Sequence, residues 1–291
     1  MTLTRRTAPY VFLAPVFVFG LLFFVGPLLF SLVLSFASWN SLGAFRLVGW
    51  QNYRYLLAVD PVFHTALWNT ARFVGLTILL GVPLALALAL AIRRSRIASV
   101  WQAIYWLPMI TNVVAVSYVW KQILDDPYGL VNRFLAFLGV AGPSWLLDPD
   151  WAMLSLVLVF LWFQVGQDMM LFLAGLNGLD SSIEEAARMD GASGWRTFRH
   201  VTLPLLAPTM LFVTLSNLIR GVGYFALMLI LTEGGPVNST RTAALRMYEL
   251  AFSELKLGMA SAAAYILLFV VMLLSAIQLR VMRRGGVEGW A

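Results

Sequence analysis

Six long apolar stretches constrain this chain more than any other feature. At a rise of 1.5 Å per residue, about 20 apolar residues cross a hydrocarbon layer about 30 Å thick. Runs of that length fall at about 9–37, 69–92, 100–121, 151–173, 208–231 and 257–280. A bilayer offers no water to backbone N–H and C=O groups, so such runs fold as helices that satisfy their own hydrogen bonds. Pro15, Pro27, Pro83 and Pro108 interrupt several of them, an interruption that neighbouring helices can accommodate. Composition closes off the water-soluble alternative. The chain is 60% hydrophobic and 12% charged, whereas a soluble domain carries about a quarter charged residues.

The first run follows Arg5 and Arg6 and ends at Ser35-Phe36-Ala37, which is the outline of a secretory leader. Its apolar part is about twice the length of a leader's core, so it reads as a retained helix. No internal repeat, linker or low-complexity tract divides the sequence, which is expected to form a single transmembrane domain over residues 1–291. Several chemistries are excluded. There is no cysteine for disulfides or thiolate metal sites, and His64 and His200 lie apart from each other and from any carboxylate cluster. No metal is expected. The phosphate-binding pattern Gly-x-x-x-x-Gly-Lys-Ser/Thr is absent, so the chain is not expected to bind ATP in that manner. No nucleophile–base arrangement points to an enzyme. The net charge of +6 sits at the ends of apolar runs, which suits membrane flanks better than nucleic acid.

Basic residues orient the spans. With six spans the termini share a side, and that side would hold eleven basic residues, among them the tight groups Arg93-Arg94-Arg96 and Arg280-Arg283-Arg284. The opposite side would hold eight, scattered through loops. The clusters abutting helix ends place both termini, the 93–99 turn and the 174–207 loop in the cytoplasm. The outer loops 38–68 and 122–150 are rich in Trp and Tyr. They read either as an aromatic interface belt or as short surface-lying helices that receive an external protein.

The segment 180–207 is the polar exception between apolar runs. Asp180, Ser181 and Ser182 are good N-cap residues, and Ser181 with Glu184, or Ser182 with Glu185, has capping-box spacing. The pattern predicts a helix over about 182–190 stopped by Gly191, then a second over about 194–201 capped by Ser193. Pro204 and Pro208 restart the chain toward the membrane. Ile183, Ala186, Ala187 and Met189 give the first helix small and apolar contact residues that suit insertion into a groove.

Glu185-Ala186-Ala187, three residues, Gly191, nine residues, Val201, one residue, Leu203-Pro204 resembles the "EAA" signature of ABC-importer permeases. Asp190-Gly191-Ala192 and Thr202-Leu203-Pro204 strengthen the likeness, and Val201 stands where isoleucine is usual. Leu47-Val48-Gly49-Trp50-Gln51-Asn52-Tyr53, Trp68-Asn69-Thr70 and Leu231-Thr232-Glu233-Gly234-Gly235-Pro236 are similar to segments of the carbohydrate and glycerol-phosphate branch, of which the maltose permeases are members. The resemblance implies an all-α polytopic membrane protein, with six transmembrane helices and a cytoplasmic coupling helix pair between helices four and five. It implies ATPase coupling through Glu184, Glu185, Ala186, Ala187, Asp190, Gly191, Ala192, Leu203 and Pro204. The implied partners are a second homologous permease, two cytoplasmic ATPase subunits and an extracytoplasmic solute-binding protein. ATP and magnesium would belong to the ATPases, with no cofactor on this chain.

Polar residues within apolar spans are costly and usually face a cavity or a partner helix. The fourth span aligns Phe160, Gln164, Gln167 and Asp168 on one face; the fifth aligns Asn217, Arg220, Gly221 and Tyr224. Aromatic faces and amides suit a sugar, and the resemblance implies that these two spans line the substrate path. Asp168 and Arg220 carry two readings: a buried pair that fixes helix packing, or contacts to solute, with Arg220 then favouring a phosphate-bearing one. The expected function is ATP-driven import of a sugar, oligosaccharide or glycerol-phosphate-type solute across the bacterial inner membrane. The alternative is an ion-coupled secondary transporter in which Asp168 carries the proton.

Overall fold

The computed structural model describes residues 8–40 and 43–284, so Arg5 and Arg6 lie outside the described residues. Apart from a two-residue antiparallel pairing of Ala37–Ser38 with Arg46–Leu47, the regular structure there is helical. The helices are α1 (Ala8–Gly20), α2 (Gly26–Ser35), α3 (Gln51–Ala58), α4 (Pro61–Arg93), α5 (Ala98–Ile110), α6 (Val113–Ile123) and α7 (Leu130–Phe137), followed by α8 (Pro149–Asn177), α9 (Ser181–Met189), α10 (Gly194–Thr197), α11 (Leu203–Leu205), α12 (Ala207–Gly223), α13 (Ala243–Tyr248) and α14 (Leu257–Arg284). The expected all-α membrane fold is present. Among the described residues, four segments are long and apolar enough to cross a membrane: Phe12–Ser35, Pro61–Arg93, Pro149–Asn177 and Leu257–Val281. Two further segments are bent pairs, and the number of spans reaches six if each pair is one span.

Three expected spans are corrected in detail. The third, expected as one helix over 100–121, is broken: α5 and α6 meet at 97°. Asn112 causes the restart. It is extended, and its side chain accepts the N–H groups of Val114 at 2.8 Å and Ala115 at 3.3 Å, the geometry of a new N-cap. The fifth, expected over 208–231, ends as an α-helix at Gly223, with Tyr224 extended. Gly221 and Gly223 weaken helix propensity there. The second begins earlier than expected, at Pro61 instead of about 69, giving 33 residues and a length of about 50 Å.

Two prolines inside helical segments are accommodated by the same device. Residues 21–25 and 198–202 are wide π turns, in which Gly26 N–H reaches the Leu21 carbonyl and Leu203 N–H reaches the Phe198 carbonyl. Pro27 and Pro204 stand two residues beyond these turns. A proline lacks the N–H for an i−4 bond and its ring crowds that carbonyl; a wider turn relieves both demands. The helical path therefore continues through Pro204, and the restart that the sequence suggested falls at Ala207-Pro208, where α12 begins after a 66° bend.

The chain divides into two compact units, Met1–Phe63 with Arg246–Leu268 and His64–Leu245 with Phe269–Ala291. In the first, Asn52 Nδ2 donates to the carbonyls of Ser35 and Ala37, both at 2.9 Å, and Tyr53 Oη donates to Ser35 Oγ at 2.7 Å. The two Asn52 bonds satisfy carbonyls at and just beyond the end of α2. Gly258 lies against Ala37, where a Cβ would sit 1.9 Å from the carbonyl oxygen. Arg246 gathers Asp60, Glu249 and Glu254.

In the second unit, α4 and α8 form a buried core in which Val82, Ala85 and Ala89 meet Val165, Met169 and Phe172. Gly166 lets α5 approach α8 closely, because a Cβ there would sit 1.8 Å from the Tyr105 carbonyl oxygen. Such contact through small residues is how helices associate in a membrane without a hydrophobic driving force. Asn69 Nδ2 donates to the carbonyls of Asn238 and Arg241, and Thr70 Oγ1 accepts the Ala243 N–H. These ties hold the segment after the Gly234-Gly235-Pro236 turn. Residues 38–68 and 122–150 contain the short helices α3 and α7.

Candidate functional site

Two constellations in the second unit gather the residues singled out from sequence. The first is the helix pair at 181–205. Asp180 is the cap of α9, accepting the Ser182 N–H at 2.9 Å. That backbone bond, with a contribution from the Ser182 side chain, holds the Asp180 carboxyl below the usual carboxylate range. Neither expected capping box forms. Ser181 and Ser182 lie inside the helix, and Glu184 turns elsewhere. Gly191 ends the helix as expected: at φ +78° it lets the Ala192 N–H reach the Ala187 carbonyl and the Gly191 N–H reach that of Arg188, both at 3.0 Å, a Schellman-like stop. Ser193 then accepts the Arg196 N–H and starts α10. The expected second helix over 194–201 is α only to Thr197 and continues as the π turn at 198–202.

The helix α9 has two faces. Ser182, Glu185, Ala186 and Met189, at i, i+3, i+4 and i+7 spacing, are exposed, Met189 to 89%, and Ser181, Ile183 and Arg188 are exposed beside them. Asp190, Gly191 and Pro204 are exposed as well, whereas Ala192 and Leu203 are half-buried. Glu184 and Ala187 face inward. Glu184 Oε1 accepts from Arg93 Nη1 at 3.1 Å and from Thr202 Oγ1 at 3.2 Å. It therefore joins the last turn of α4 to the first turn of α9 and to the π turn. Sequence reasoning grouped Glu184 with the ATPase-coupling residues and missed Arg93 as its partner. The available signal was Arg93 at the end of an apolar helix, close to the cation-favouring end of its dipole. A cleft of about 510 Å³ surrounds the pair, lined also by Arg94, Arg188, Trp195 and Phe198.

The second constellation lies where α8 meets α12. Asp168 is buried. Its Oδ1 accepts from Arg220 Nη2 and its Oδ2 from Asn217 Nδ2, each at 2.7 Å. Arg220 Nη1 donates to Gln167 Oε1, and Asn217 also donates to the Val213 carbonyl. Of the two readings for Asp168 and Arg220, the structure forms the pair. One turn and two turns before Asp168 along α8 stand Gln164 and Phe160. The Phe160 ring is fully buried between Phe73 and Tyr224, with centroids 5.1 and 4.8 Å away. Gly221 sits against Val74, where a Cβ would be 3.0 Å from a methyl. Gln167, Asp168, Asn217 and Arg220 are thus joined by hydrogen bonds across this contact, whereas Phe160 packs as core and Gly221 abuts α4. Gln164 Oε1, Tyr224 Oη and Arg220 Nε are buried without a hydrogen-bond partner.

No group of three or more His, Cys, Asp or Glu among the described residues is arranged to hold a metal ion.

A family model described as "binding-protein-dependent transport system inner membrane component" matches residues 77–284. The lactose transport system permease protein LacF of Rhizobium radiobacter is 33% identical, over 92% of this chain and 92% of that protein. The arabinooligosaccharides transport system permease protein AraP of Bacillus subtilis is 30% identical, over 95% of this chain and 89% of its own length. Among solved structures, a bacterial ABC transporter involved in the import of the acidic polysaccharide alginate contains a chain that superposes with a TM-score of 0.82 at 23% identity, covering 95% of each chain. That likeness concerns the fold alone.

Proposed function

We infer cargo, partners and orientation from one premise: this chain belongs to the family of binding-protein-dependent transport system inner membrane components. It is a non-catalytic permease subunit of an ABC importer, a multi-pass protein of the inner membrane that works with a solute-binding protein. The proposed cargo is an oligosaccharide. The relatives LacF and AraP are described as permeases for lactose and arabinooligosaccharides, and the contact of α8 with α12 supplies suitable chemistry. Gln164 Oε1 and Tyr224 Oη are buried polar atoms without partners, and the Tyr224 ring pairs with that of Phe160. Unpaired buried polar atoms cost about 1–3 kcal/mol each, so sugar hydroxyls that reached them would be favoured. A phosphate-bearing cargo has less support, because both terminal nitrogens of Arg220 are committed to Asp168 and Gln167.

The observation that carries the coupling role is the exposed stripe Ser182, Glu185, Ala186 and Met189 on a helix fixed at both ends, by Asp180 and by Gly191. In the proposed assembly this face seats in an ATPase subunit that binds ATP and magnesium. A second permease completes the pathway, and both termini and residues 174–207 are cytoplasmic. ATPase closure would push on the helix pair and shift the membrane helices between inward- and outward-facing arrangements.

The ion-coupled alternative is not favoured. Its proton carrier, Asp168, is held by Arg220 and Asn217, and the sequence relatives are permease proteins of transport systems. The test is uptake in proteoliposomes. Uptake of a labelled oligosaccharide should require ATP, the binding protein and the partner subunits together. Uptake by this chain alone under a proton gradient would overturn the reading.

A further inference from the structure

Arg93 entered the sequence analysis only as one of a basic cluster, yet it makes the one ion pair that ties the helix pair 181–205 to a long apolar helix among the described residues. Glu184 has a nearer candidate. Arg188 lies four residues on along α9, in the order that favours an i, i+4 pair, and it lines the same cleft. The carboxylate pairs instead across the tertiary contact with Arg93, 3.1 Å away, and takes the Thr202 hydroxyl as a second bond. The side chains are 21% and 14% exposed, so the pair is less screened than a surface one. Its placement also agrees with both helix dipoles: the cation sits at the C-terminal end of α4 and the anion in the first turn of α9.

We propose that Arg93 is a positioning residue for energy coupling: through Glu184 it makes the helix pair 181–205 move as one body with α4. The inference rests on the permease reading above. Without the link, α9 keeps its packing against α10 and the π turn, but none of its residues is buried and no ion pair among the described residues joins it to α4. A push delivered to the exposed stripe would then be absorbed by rotation of α9 about Gly191 and the 178–180 turn. With the link, displacement of Glu184 must displace the end of a 33-residue helix. Thr202 extends the same tie to the π turn, so both coupling helices are registered to α4 by one carboxylate.

The test uses the assembled transporter in proteoliposomes, with ATP hydrolysis and solute uptake measured on the same preparation. For Arg93→Gln, ATP hydrolysis should persist while solute imported per ATP falls about five- to tenfold. Arg93→Lys should keep most of the ratio, and the exchange Arg93→Glu with Glu184→Arg should recover it relative to either single change. Amide exchange supplies a readout independent of cargo: in Arg93→Gln, residues 181–189 should exchange faster while the α8 core is unchanged. An unaltered ratio and unaltered exchange in Arg93→Gln would overturn the proposal. So would an exchanged pair that assembles yet couples no better than the single variants. A wild-type assembly that imports nothing with ATP would fail the permease reading instead, and the exchange measurement would still decide whether the link holds α9.

Discussion

Removing the guanidinium from Arg220 tests how the α8–α12 contact is held. Asp168 is 3% exposed at its side chain and Arg220 is 23% exposed. The carboxylate has two partners at 2.7 Å, and Arg220→Gln removes the cationic one. A buried charge that loses its counter-ion costs about 3–5 kcal/mol, whereas replacing both members of such a pair by neutral groups is often close to neutral. Arg220→Gln should therefore lower stability by about 3–5 kcal/mol, and Asp168→Asn with Arg220→Gln should lose roughly 0–2 kcal/mol. The double variant should therefore be more stable than Arg220→Gln by about 1–5 kcal/mol, and Asp168→Asn alone completes the double-mutant cycle that reads the coupling. At about 2–4 °C per kcal/mol, the single change should shift the midpoint of thermal unfolding in detergent by on the order of 10 °C. Tryptophan fluorescence follows the transition, since Trp162 lies on α8 and Trp120 packs against it at 5.5 Å. In uptake assays, neutral oligosaccharide and phosphodiester transport should fall together. A single variant that melts with the wild type, or a double variant no more stable than the single, would refute the argument that the pair holds these helices.

Two further outcomes follow from the same geometry. Gly166→Ala places a Cβ 1.8 Å from the Tyr105 carbonyl oxygen and 2.5 Å from its carbon, so α5 and α8 must part and stability should fall by about 1–3 kcal/mol; Gly75→Ala, with nothing within 4 Å of the added atom, should instead be neutral or stabilising by up to about 1 kcal/mol, both read as midpoint shifts in detergent. Glu254 is held below the usual carboxylate range by Lys256 and Arg246, so its contribution is full above its unfolded value of about 4.3 and is lost as pH falls through the lower folded one. The stability gap between wild type and Glu254→Gln should be constant from neutral pH to about 5 and close below about 4, measured by thermal unfolding across that range.

The sequence determined what local physics can determine. Run length and hydropathy fixed the helical membrane class, because a bilayer accepts few other arrangements. The chemistry of Asp180, Gly191 and Ser193 fixed the ends of the helix pair at 181–205, because caps and a left-handed stop are decided within a few residues. Helical spacing also put Gln164 and Asp168 on one face, and Asn217 and Arg220 on another. Spacing could not say whether those faces meet, nor that Phe160 would be packed between Phe73 and Tyr224. The break at Asn112 was legible only in part, since an apolar run reads the same straight or bent. Glu184 shows the limit best. In one dimension its partner is Arg188, four residues away, or the cap of its own helix. Across the fold it is Arg93, 91 residues away in sequence, and only tertiary packing could bring that guanidinium within reach. A cap is a property of neighbours along the chain; an ion pair between helices is a property of where the helices end.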